Sequence, residues 1–315
     1  MTATSSTASA SGPLAGSVTL AVNPRAGAGR GAAIGRAARA ALAAAGVAVT
    51  EVHAADAAAA ASAMADAVRT GTGALVVVGG DGMVHLGLNA VAGTATPLGV
   101  VPAGTGNDMP REFGLPAEVG AAVRAIAAAL AGGVVRRVDA VRCTAATGTR
   151  WFGGVLAAGF DAVVNERANS WADGWGRPRG SARYTLAVLR ELPSFRQRDY
   201  RLELDGVLVE TPALIVAVAN VAAYGGGMRI APGALPDDGL LDVVVAGPIG
   251  RAEFVRVFPR VFSGRHVDHP GVHVHRAARV RVEADGIVGY ADGERVAPLP
   301  LDCEVVPGAL RLLAV

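Results

Sequence analysis

Strand-like and helix-like segments alternate between residues 17 and 131, and this alternation constrains the fold more than any other feature. The clearest strand, 74–78, reads ALVVV and is apolar without interruption, as expected for a strand buried on both faces. Strands separated by helices form parallel sheets that helices cover on both sides. The pattern therefore predicts an α/β domain, with strands at 17–22, 47–53, 74–78 and 97–101 and helices at 31–45, 56–69, 83–91 and 117–131.

After Gly132 and Gly133, strand-like runs follow one another and helix-like segments become few. Consecutive strands are typical of an antiparallel sheet. We expect an α/β domain over residues 17–133 and a mostly antiparallel β-rich domain over 134–308, with a last apolar run, 309–315, able to pair with either. The strands expected in the second half are 134–141, 151–157, 200–204, 214–219, 240–245, 279–283, 287–290 and 301–305, and the helices are 181–192 and 251–258.

Composition excludes several classes of protein. All 29 basic residues are arginine, which rules out a Walker A P-loop, a protein-kinase fold and a Schiff-base enzyme, since each needs a lysine. The best apolar run, 213–219, is far shorter than the ~20 residues that cross a bilayer. Residues 1–16 lack the features of a signal peptide and are expected to be a disordered tail. We therefore expect a cytoplasmic protein, and a net charge of +2 argues against nucleic acid as a partner.

The two cysteines, Cys143 and Cys303, stand far apart in the sequence and in no Cys-x-x-Cys pair. This usage is typical of buried thiols in a reducing compartment, so no structural disulfide is expected.

Four glycine-rich segments each follow a predicted strand: NPRAGAGRG at 23–31, GGDGM at 79–83, PAGTGND at 102–108 and YGGGM at 224–228. Glycines let the backbone approach an anion closely, and a following helix offers unpaired N–H groups. Asp81 among three glycines suits the holding of Mg²⁺ or of a phosphate-bound water network. Taken singly, each segment also fits a tight turn. The fourth, with PDDGLLD behind it, fits a structural turn best.

The motifs NPRAG, GGDGM, PAGTGND, YGGGMRIAPGALPDDGLLDV and YADGE, in this order, resemble those of the diacylglycerol kinase catalytic family. That family includes bacterial soluble lipid kinases and sphingosine kinases, and it is more distantly related to NAD kinases. The resemblance runs from about residue 18 to about residue 313. NAD kinases and ATP-dependent phosphofructokinases carry loops similar to GGDG, so the conjunction of the five motifs is what makes the resemblance specific.

The resemblance implies a two-domain fold. An N-terminal α/β domain binds nucleotide, a β-rich domain supports the acceptor, the active site lies in the cleft between them, and the chain end returns to the first domain. The implied reaction is ATP-dependent, Mg²⁺-assisted phosphorylation of a lipid hydroxyl, most simply of diacylglycerol to phosphatidic acid. A sphingoid base, an isoprenoid alcohol or NAD remain alternative acceptors, and a non-catalytic nucleotide-binding regulator remains a third reading. Peripheral membrane contact is expected, and a homodimer stays open.

The resemblance also assigns roles to single residues. Asp81 would lie near the catalytic Mg²⁺, Asp292 matches the general base, and Glu294 would help to bind metal or orient the base. The residues implied to bind the nucleotide are Asn23, Pro24, Arg25, Gly79, Gly80, Asp81, Gly82, Gly104, Thr105, Asn107 and Asp108. Those implied to bind metal are Asp81, Asp238 and Leu240.

Four positions depart from the family pattern. Met83 replaces a threonine, Ala28 replaces a basic residue, and Pro110 replaces an alanine, although proline is tolerated in the first turn of a helix. Leu235 stands where some bacterial members place an acidic or amide ligand of a structural Mg²⁺, which predicts a weakened site at Asp238. In a chain without lysine, the phosphate-binding cation is expected to be Arg25, Arg30 or Arg111.

Two further clusters need interpretation. His266, His269, His273 and His275 invite a zinc site, but their spacing favours surface or hairpin histidines. A segment with Trp171, Trp175, Arg177, Arg179 and Arg183 fits either a loop packed on the domain or an edge that touches anionic bilayers.

Overall fold

The computed structural model describes residues 9–10, 17–104, 106–170, 190 and 196–314. Contacts between Cα atoms divide the chain into unit 1, Met1–Ala140 with Val306–Val315, and unit 2, Val141–Val305. The sequence pattern places the boundary after Gly133. In the structure, a strand begins at Val134 and continues past Ala140, where the contacts place the border. This one strand therefore contributes to both units.

Unit 1 is built from a parallel sheet and its helices. Its strands are β1 (Ser9–Ala10), β2 (Val18–Val22), β3 (Val49–Val52), β4 (Ala74–Gly79), β5 (Leu98–Pro102), the start of β6 (Val134–Ala145) and the end of β17 (Leu301–Leu312). Its helices are α1 (Ala26–Gly29), α2 (Gly31–Ala44), α3 (Ala57–Arg69), α4 (Asp81–Val91), α5 (Asp108–Glu112) and α6 (Val119–Gly132).

The strands of unit 1 lie in the order β3-β2-β4-β5, all parallel, and the end of β17 adds to β5 through Leu312 opposite Leu98. Every residue of β4 and β5 is buried, as their uninterrupted apolar runs predict. Because β2, β4 and β5 are neighbours that run the same way, the loops at their carboxyl ends lie side by side. The α/β class predicted for this half is confirmed.

Unit 2 is built from antiparallel strands. Besides parts of β6 and β17, its strands are β7 (Gly148–Phe152), β8 (Val155–Ala157), β9 (Arg198–Leu204), β10 (Val207–Ala213), β11 (Ile215–Ala219), β12 (Leu241–Ala246), β13 (Val272–Ala277), β14 (Arg279–Glu283), β15 (Val288–Ala291) and β16 (Glu294–Pro298). Its helices are α7 (Phe160–Ser170) and α8 (Arg251–Val257), and two 3-10 helices follow at Phe258–Ser263 and Arg265–Asp268.

One sheet of unit 2 has the order β13-β12-β11-β8-β15-β16, and β10-β9-β14-β17 form a second set of antiparallel pairs. Side chains of both, such as Val218, Val243 and Leu202, are fully buried in one apolar core. The β-rich class predicted for this half is confirmed.

Several predicted elements differ from the observed ones. The run 151–157 is not one strand, because the chain turns at Gly153 and Gly154 to bond an aspartate, so β7 and β8 pair with different partners. Helix α7 and strands β10 and β16 were not predicted. The predicted helix 181–192 and the segment with Trp171, Trp175, Arg177, Arg179 and Arg183 lie outside the described residues, apart from position 190.

Cys143 and Cys303 are buried free thiols, as predicted. Although far apart in sequence, they lie on β6 and β17 with their sulfur atoms 3.8 Å apart. Over the part of the chain that the structure describes, every helix is too short or too polar to span a bilayer.

Candidate active site

Three of the glycine-rich segments meet at the carboxyl ends of β2, β4 and β5. The first begins at Asn23, whose side-chain Oδ1 accepts the Arg25 N–H at 3.0 Å and so turns the chain away from β2. Gly31, at the start of α2, has no room for a side chain, because a Cβ there would lie 2.0 Å from the Asn23 carbonyl oxygen. The turn of Asn23, Pro24 and Arg25 is therefore held closely against the helix.

The second segment joins β4 to α4. A Cβ at Gly79 would lie 2.5 Å from the Met83 side chain, so the glycine accommodates the methionine that departs from the family pattern. Met83 is buried and faces the interior of unit 1. Asp81 is the first residue of α4, and Gly82 follows it on the exposed side. This puts the first-turn amides of a helix beside the glycines.

The third segment is closed by one side chain. The Asn107 amide accepts the Gly104 N–H at 3.2 Å and donates to the Gly104 carbonyl at 3.0 Å. Asn107 itself takes the left-handed conformation, with φ of 55°. Thr105, which this closure surrounds in sequence, lies outside the described residues.

Asp81 ties the second segment to the third. Its carboxylate accepts the Asn107 N–H at 3.0 Å and the Met109 N–H at 3.3 Å. Asn107 stands at the N-cap position of α5, but its side chain makes no capping bond. Instead Asp81 binds amides at its start, because the Asn107 side chain is used to close its own loop. Asp81 is thus a structural link as well as the implied neighbour of a metal.

The backbones of the two segments also touch. A Cβ at Gly104 would lie 2.5 Å from the Gly80 Cα, and a Cβ at Gly106 would lie 2.8 Å from Asp81 Oδ2. Only glycine permits this approach, which leaves a cradle of backbone that any side chain would fill. Such a cradle at helix amino ends is a suitable site for phosphate oxygens.

Arg111 is the cation fixed to this cluster. Its guanidinium donates to Asp108 Oδ1 at 3.0 Å and to the Gly106 carbonyl at 3.1 Å. Pro110 lies in the first turn of α5, as predicted. Arg30 donates to the Gly27 carbonyl at 3.1 Å, beside Ala28, which adopts φ of 57°.

In unit 2, Asp292 is held by two backbone amides. It stands with Gly293 in the two-residue turn between β15 and β16, and its carboxylate accepts the Gly153 N–H at 3.1 Å and the Gly154 N–H at 2.8 Å. A Cβ at Gly154 would lie 2.6 Å from Asp292 Oδ1, so the close approach requires glycine. The exposed Glu294 follows directly, at the start of β16.

Asn220 supports this arrangement, and the sequence analysis did not single it out. Fully buried at the end of β11, it donates through Nδ2 to the Gly153 carbonyl at 2.9 Å, and its N–H donates to the Gly154 carbonyl at 2.9 Å. The signal available in the sequence was an amide that directly ends an apolar strand.

Unit 2 also encloses an apolar cavity. The cavity has a volume of about 50 Å³ and lies among α7, β11, β12, α8 and the following 3-10 helices. Most of the lining is aliphatic or aromatic, including Phe160, Phe254 and Phe258, whose rings stack edge-on or face to face. The lining is typical of pockets for apolar ligands, although the open volume is small, so an acyl chain would enter only where the lining side chains move apart.

Asp161, Tyr224 and His266 are the titratable groups in this apolar lining. Asp161 is 4% exposed and accepts the Tyr224 hydroxyl at 3.1 Å, and burial raises the pKa of its carboxyl to about 7. Tyr224 opens the fourth glycine-rich segment, so this segment shapes the cavity. His266 was predicted to be a surface or hairpin histidine but is buried. Its Nε2 donates a hydrogen bond to the Ile230 carbonyl at 2.9 Å, and burial lowers the pKa of its imidazole.

Comparison with protein families identifies the group to which these features belong. A model described as the diacylglycerol kinase catalytic domain matches residues 17–143, and one described as the YegS C-terminal NAD kinase beta sandwich-like domain matches 154–314. Over 252 residues the chain is 44% identical to a diacylglycerol kinase of Mycobacterium tuberculosis, covering 79% of each chain. The chain belongs to the diacylglycerol kinase family. It is therefore a kinase, as the five motifs predicted.

A more distant relative has a similar sequence, and solved structures share the fold. The kinase is 27% identical over 229 residues to a diacylglycerol kinase of Bacillus subtilis, covering 72% of each. A putative diacylglycerol kinase of Bacillus anthracis shares the fold with a TM-score of 0.75 at 22% identity, over 95% of this chain and 97% of that one. An NAD kinase of Archaeoglobus fulgidus, solved with ATP, shares it with a TM-score of 0.54 at 14% identity, over 95% and 93%.

The place implied for a structural Mg²⁺ does not suit that ion. Both oxygens of Asp238 are engaged, Oδ1 by the Leu240 N–H at 3.1 Å and Oδ2 by the Arg276 guanidinium. Leu235 brings no oxygen ligand in its side chain and is 55% exposed. A Mg²⁺ ion here would have to compete with the Arg276 guanidinium for Asp238, and it would find no side-chain oxygen at Leu235.

The histidine cluster does not form a metal site either. His269 Nε2 lies 3.0 Å from Glu253 Oε1, and His266 bonds a backbone carbonyl. Within the described ranges, no three side chains of His, Cys, Asp or Glu are grouped so that they could hold a metal.

Proposed function

We propose that this kinase transfers the γ-phosphoryl group of ATP to a lipid hydroxyl, most simply converting diacylglycerol to phosphatidic acid. The observation that carries the proposal is the apolar cavity of unit 2. Among the acceptors considered, NAD is polar and charged throughout, whereas an acyl chain gains free energy on leaving water for such a cavity. The diacylglycerol kinases named among its relatives support the same acceptor.

Unit 1 would bind the nucleotide. In the proposal, the phosphates lie against the glycine backbone of the cradle, near the amino ends of α2 and α4, and Arg111 with Arg25 or Arg30 adds positive charge. The set comprises Asn23, Pro24, Arg25, Gly79, Gly80, Asp81, Gly82, Gly104, Thr105, Asn107 and Asp108. These residues position a phosphoryl group and need no covalent step of their own.

Asp81 suits Mg²⁺ as a partner that acts through water. Its carboxylate accepts the Asn107 and Met109 amides, and Asp108 lies on the same loop cluster. Mg²⁺ usually keeps several waters and binds through one or two carboxylates together with phosphates. When bound, the ion would neutralise charge on the phosphoryl oxygens.

Asp292 would take the proton of the acceptor. The hydroxyl oxygen forms a bond to the γ-phosphorus, the bond to the ADP oxygen breaks, and the hydroxyl proton passes to the carboxylate. The Gly153 and Gly154 amides fix the orientation of the carboxylate. Glu294, next to this turn, would orient the base or help to bind metal.

Helix α7 connects the cavity with the turn of Asp292. Phe160, Asp161 and Val164 line the cavity, while Ala162 of the same helix packs with Tyr290 of β15, two residues before Asp292. An acyl chain in the cavity would therefore belong to the same part of unit 2 as the proposed base.

The test is transfer of the labelled γ-phosphoryl group of ATP to diacylglycerol, sphingosine, ceramide, an isoprenoid alcohol and NAD, with the lipids presented in vesicles. We expect diacylglycerol to give the highest rate. Preferred labelling of NAD would contradict the proposal, and binding of ATP with no labelled product would indicate a regulator rather than an enzyme.

The role of the cavity is tested by Ala246→Leu, which extends a side chain into it, with Val207→Leu as the control at an exposed position of β10. We expect Ala246→Leu to raise the KM for diacylglycerol about 10-fold without changing the KM for ATP. Equal lipid KM values for the two variants, in a folded Ala246→Leu protein, would show that the acceptor binds elsewhere.

A further inference from the structure

A buried charge interrupts the apolar strand β12. Asp242 is the charged residue of LDVVVA, it is 4% exposed, and its Oδ2 makes no hydrogen bond to the described residues. A buried carboxylate needs a positive charge to offset it.

Arg276 lies where that charge is needed. It stands directly opposite Asp242 in the pairing of β12 with β13, and its Nε is 3.7 Å from Asp242 Oδ2. Its terminal nitrogen bonds Asp238 Oδ2. One planar guanidinium thus faces both carboxylates. The single ammonium group of a lysine would contact two carboxylates less effectively than the several N–H groups of a guanidinium.

We propose that the Arg276 guanidinium permanently occupies the cation position between Asp238 and Asp242, so that this loop is held without a metal ion. A guanidinium stays protonated at every physiological pH, so the position is never vacated by deprotonation. A divalent cation there would have to displace Arg276 from Asp238 and find further oxygens, which Leu235 does not provide. This inference concerns the stability of unit 2 and does not rest on the acceptor.

The first test measures Mn²⁺ binding to the full chain without nucleotide, by electron paramagnetic resonance of the free ion. We expect wild type and Asp238→Asn to bind the same number of Mn²⁺ ions with the same affinity. Sites elsewhere in the chain contribute equally to both, so they cancel. Loss of one bound Mn²⁺ ion in Asp238→Asn would overturn the proposal.

The second test empties the position. Arg276→Met keeps much of the stem but removes the charge, and we expect it to lower the melting temperature by several degrees and to gain one weak Mn²⁺ site. Adding Asp238→Asn should remove that gained site. Arg281→Met, which breaks exposed pairs with Glu283 and Asp302, is the control and should gain none.

Arg276→Lys keeps the proposal testable if Arg276→Met does not fold. A lysine restores one positive charge, so we expect a melting temperature nearer to wild type and unchanged by EDTA. An Arg276→Met protein as stable as wild type, or a wild-type melting temperature that EDTA lowers without nucleotide, would overturn the proposal.

Discussion

Unit 2 contains two turns with the same sequence, Asp205-Gly206 and Asp292-Gly293. Each joins two antiparallel strands through a two-residue loop in which both residues have positive φ, 49° and 88° in the first and 54° and 85° in the second. This geometry is the one that Asp-Gly hairpins favour. Each aspartate also accepts two backbone N–H groups from another segment of unit 2.

The difference lies in the residues that donate. The Asp205 carboxylate accepts from Ala278 and Arg279, which carry ordinary side chains. The Asp292 carboxylate accepts from Gly153 and Gly154, which in turn are held by the buried Asn220. A side chain at Gly154 would strike the carboxylate, so the space around Asp292 is kept clear by glycine.

The comparison shows that the Asp-Gly turn and its two accepted N–H groups do not by themselves identify a catalytic base. Both turns hold a carboxylate in a fixed orientation, and only the surroundings distinguish them. We propose that Asp205 is structural and Asp292 catalytic. Three measurements test that distinction, and one contrasts both carboxylates with the buried Asp161.

The largest expected effect is on the pH dependence of stability, and it distinguishes Asp161 from Asp205 and Asp292. Asp161 is buried in the apolar lining of the cavity, and burial raises its pKa to about 7. Between about pH 4 and pH 7, folded Asp161 keeps a proton that the unfolded chain has released, so stability falls as pH rises through this window, by up to about 4 kcal/mol. Asp161→Asn should remove this part of the pH dependence, measured by denaturant unfolding. An unchanged pH profile in Asp161→Asn would show that this carboxyl stays ionised, and Asp205→Asn is the control.

Next in size is the direct comparison of the turns. Asp292→Asn should lower kcat by ~10²-fold or more, because the amide cannot accept the hydroxyl proton. Asp205→Asn, with the same change in the same kind of turn, should keep kcat within about twofold. The assay is phosphoryl transfer from ATP to diacylglycerol. Near-normal turnover by Asp292→Asn would refute its assignment as the base.

A smaller effect is expected from the donors. Gly154→Ala places a Cβ 2.6 Å from Asp292 Oδ1 and should move the carboxylate, lowering kcat about 10-fold. The control at the other turn is Ala278→Gly, which changes the donor to Asp205 in the opposite sense and should leave kcat unchanged. Equal kcat values for these variants would mean that the position of Asp292 tolerates a shift.

The smallest effect concerns stability. Asp205→Asn replaces a carboxylate that accepts two amides and should cost ~1–2 kcal/mol of unfolding free energy. Thermal unfolding at neutral pH would measure it. If Asp205→Asn left the unfolding free energy unchanged, the two amide hydrogen bonds of Asp205 would be weaker than their geometry indicates. The same would then hold for the two amide hydrogen bonds of Asp292.

Strands β10 and β16 show a signal that was present but not used. Both follow an Asp-Gly pair flanked by apolar residues, in LELDGVLV and VGYADGERV, and this is the strongest short-range indication of a hairpin. Helix α7 is different. Its sequence, FDAVVNERANS, lacks a clear apolar stripe, so its placement depends on contacts with β15 and with the cavity.

The nucleotide loops were predictable because their determinants are local. Uninterrupted apolar runs give buried parallel strands, and glycines at their ends give loops that come together at one edge of the sheet. The use of Asp81 was not predictable in this way, since its carboxylate bonds amides more than 25 residues away in the chain.

The sequence alone determined the class of each half, the alternation of β2 to β5 with the helices α2, α3, α4 and α6 of unit 1, and the family, because periodicity and short motifs express local preferences of the backbone. Tertiary structure decided which aspartate caps α5, that glycines surround Asp292, that Asn220 is buried behind them, and that Arg276 faces Asp238. These depend on contacts between distant segments, whose geometry is set by the packing of the whole unit rather than by neighbours in the chain.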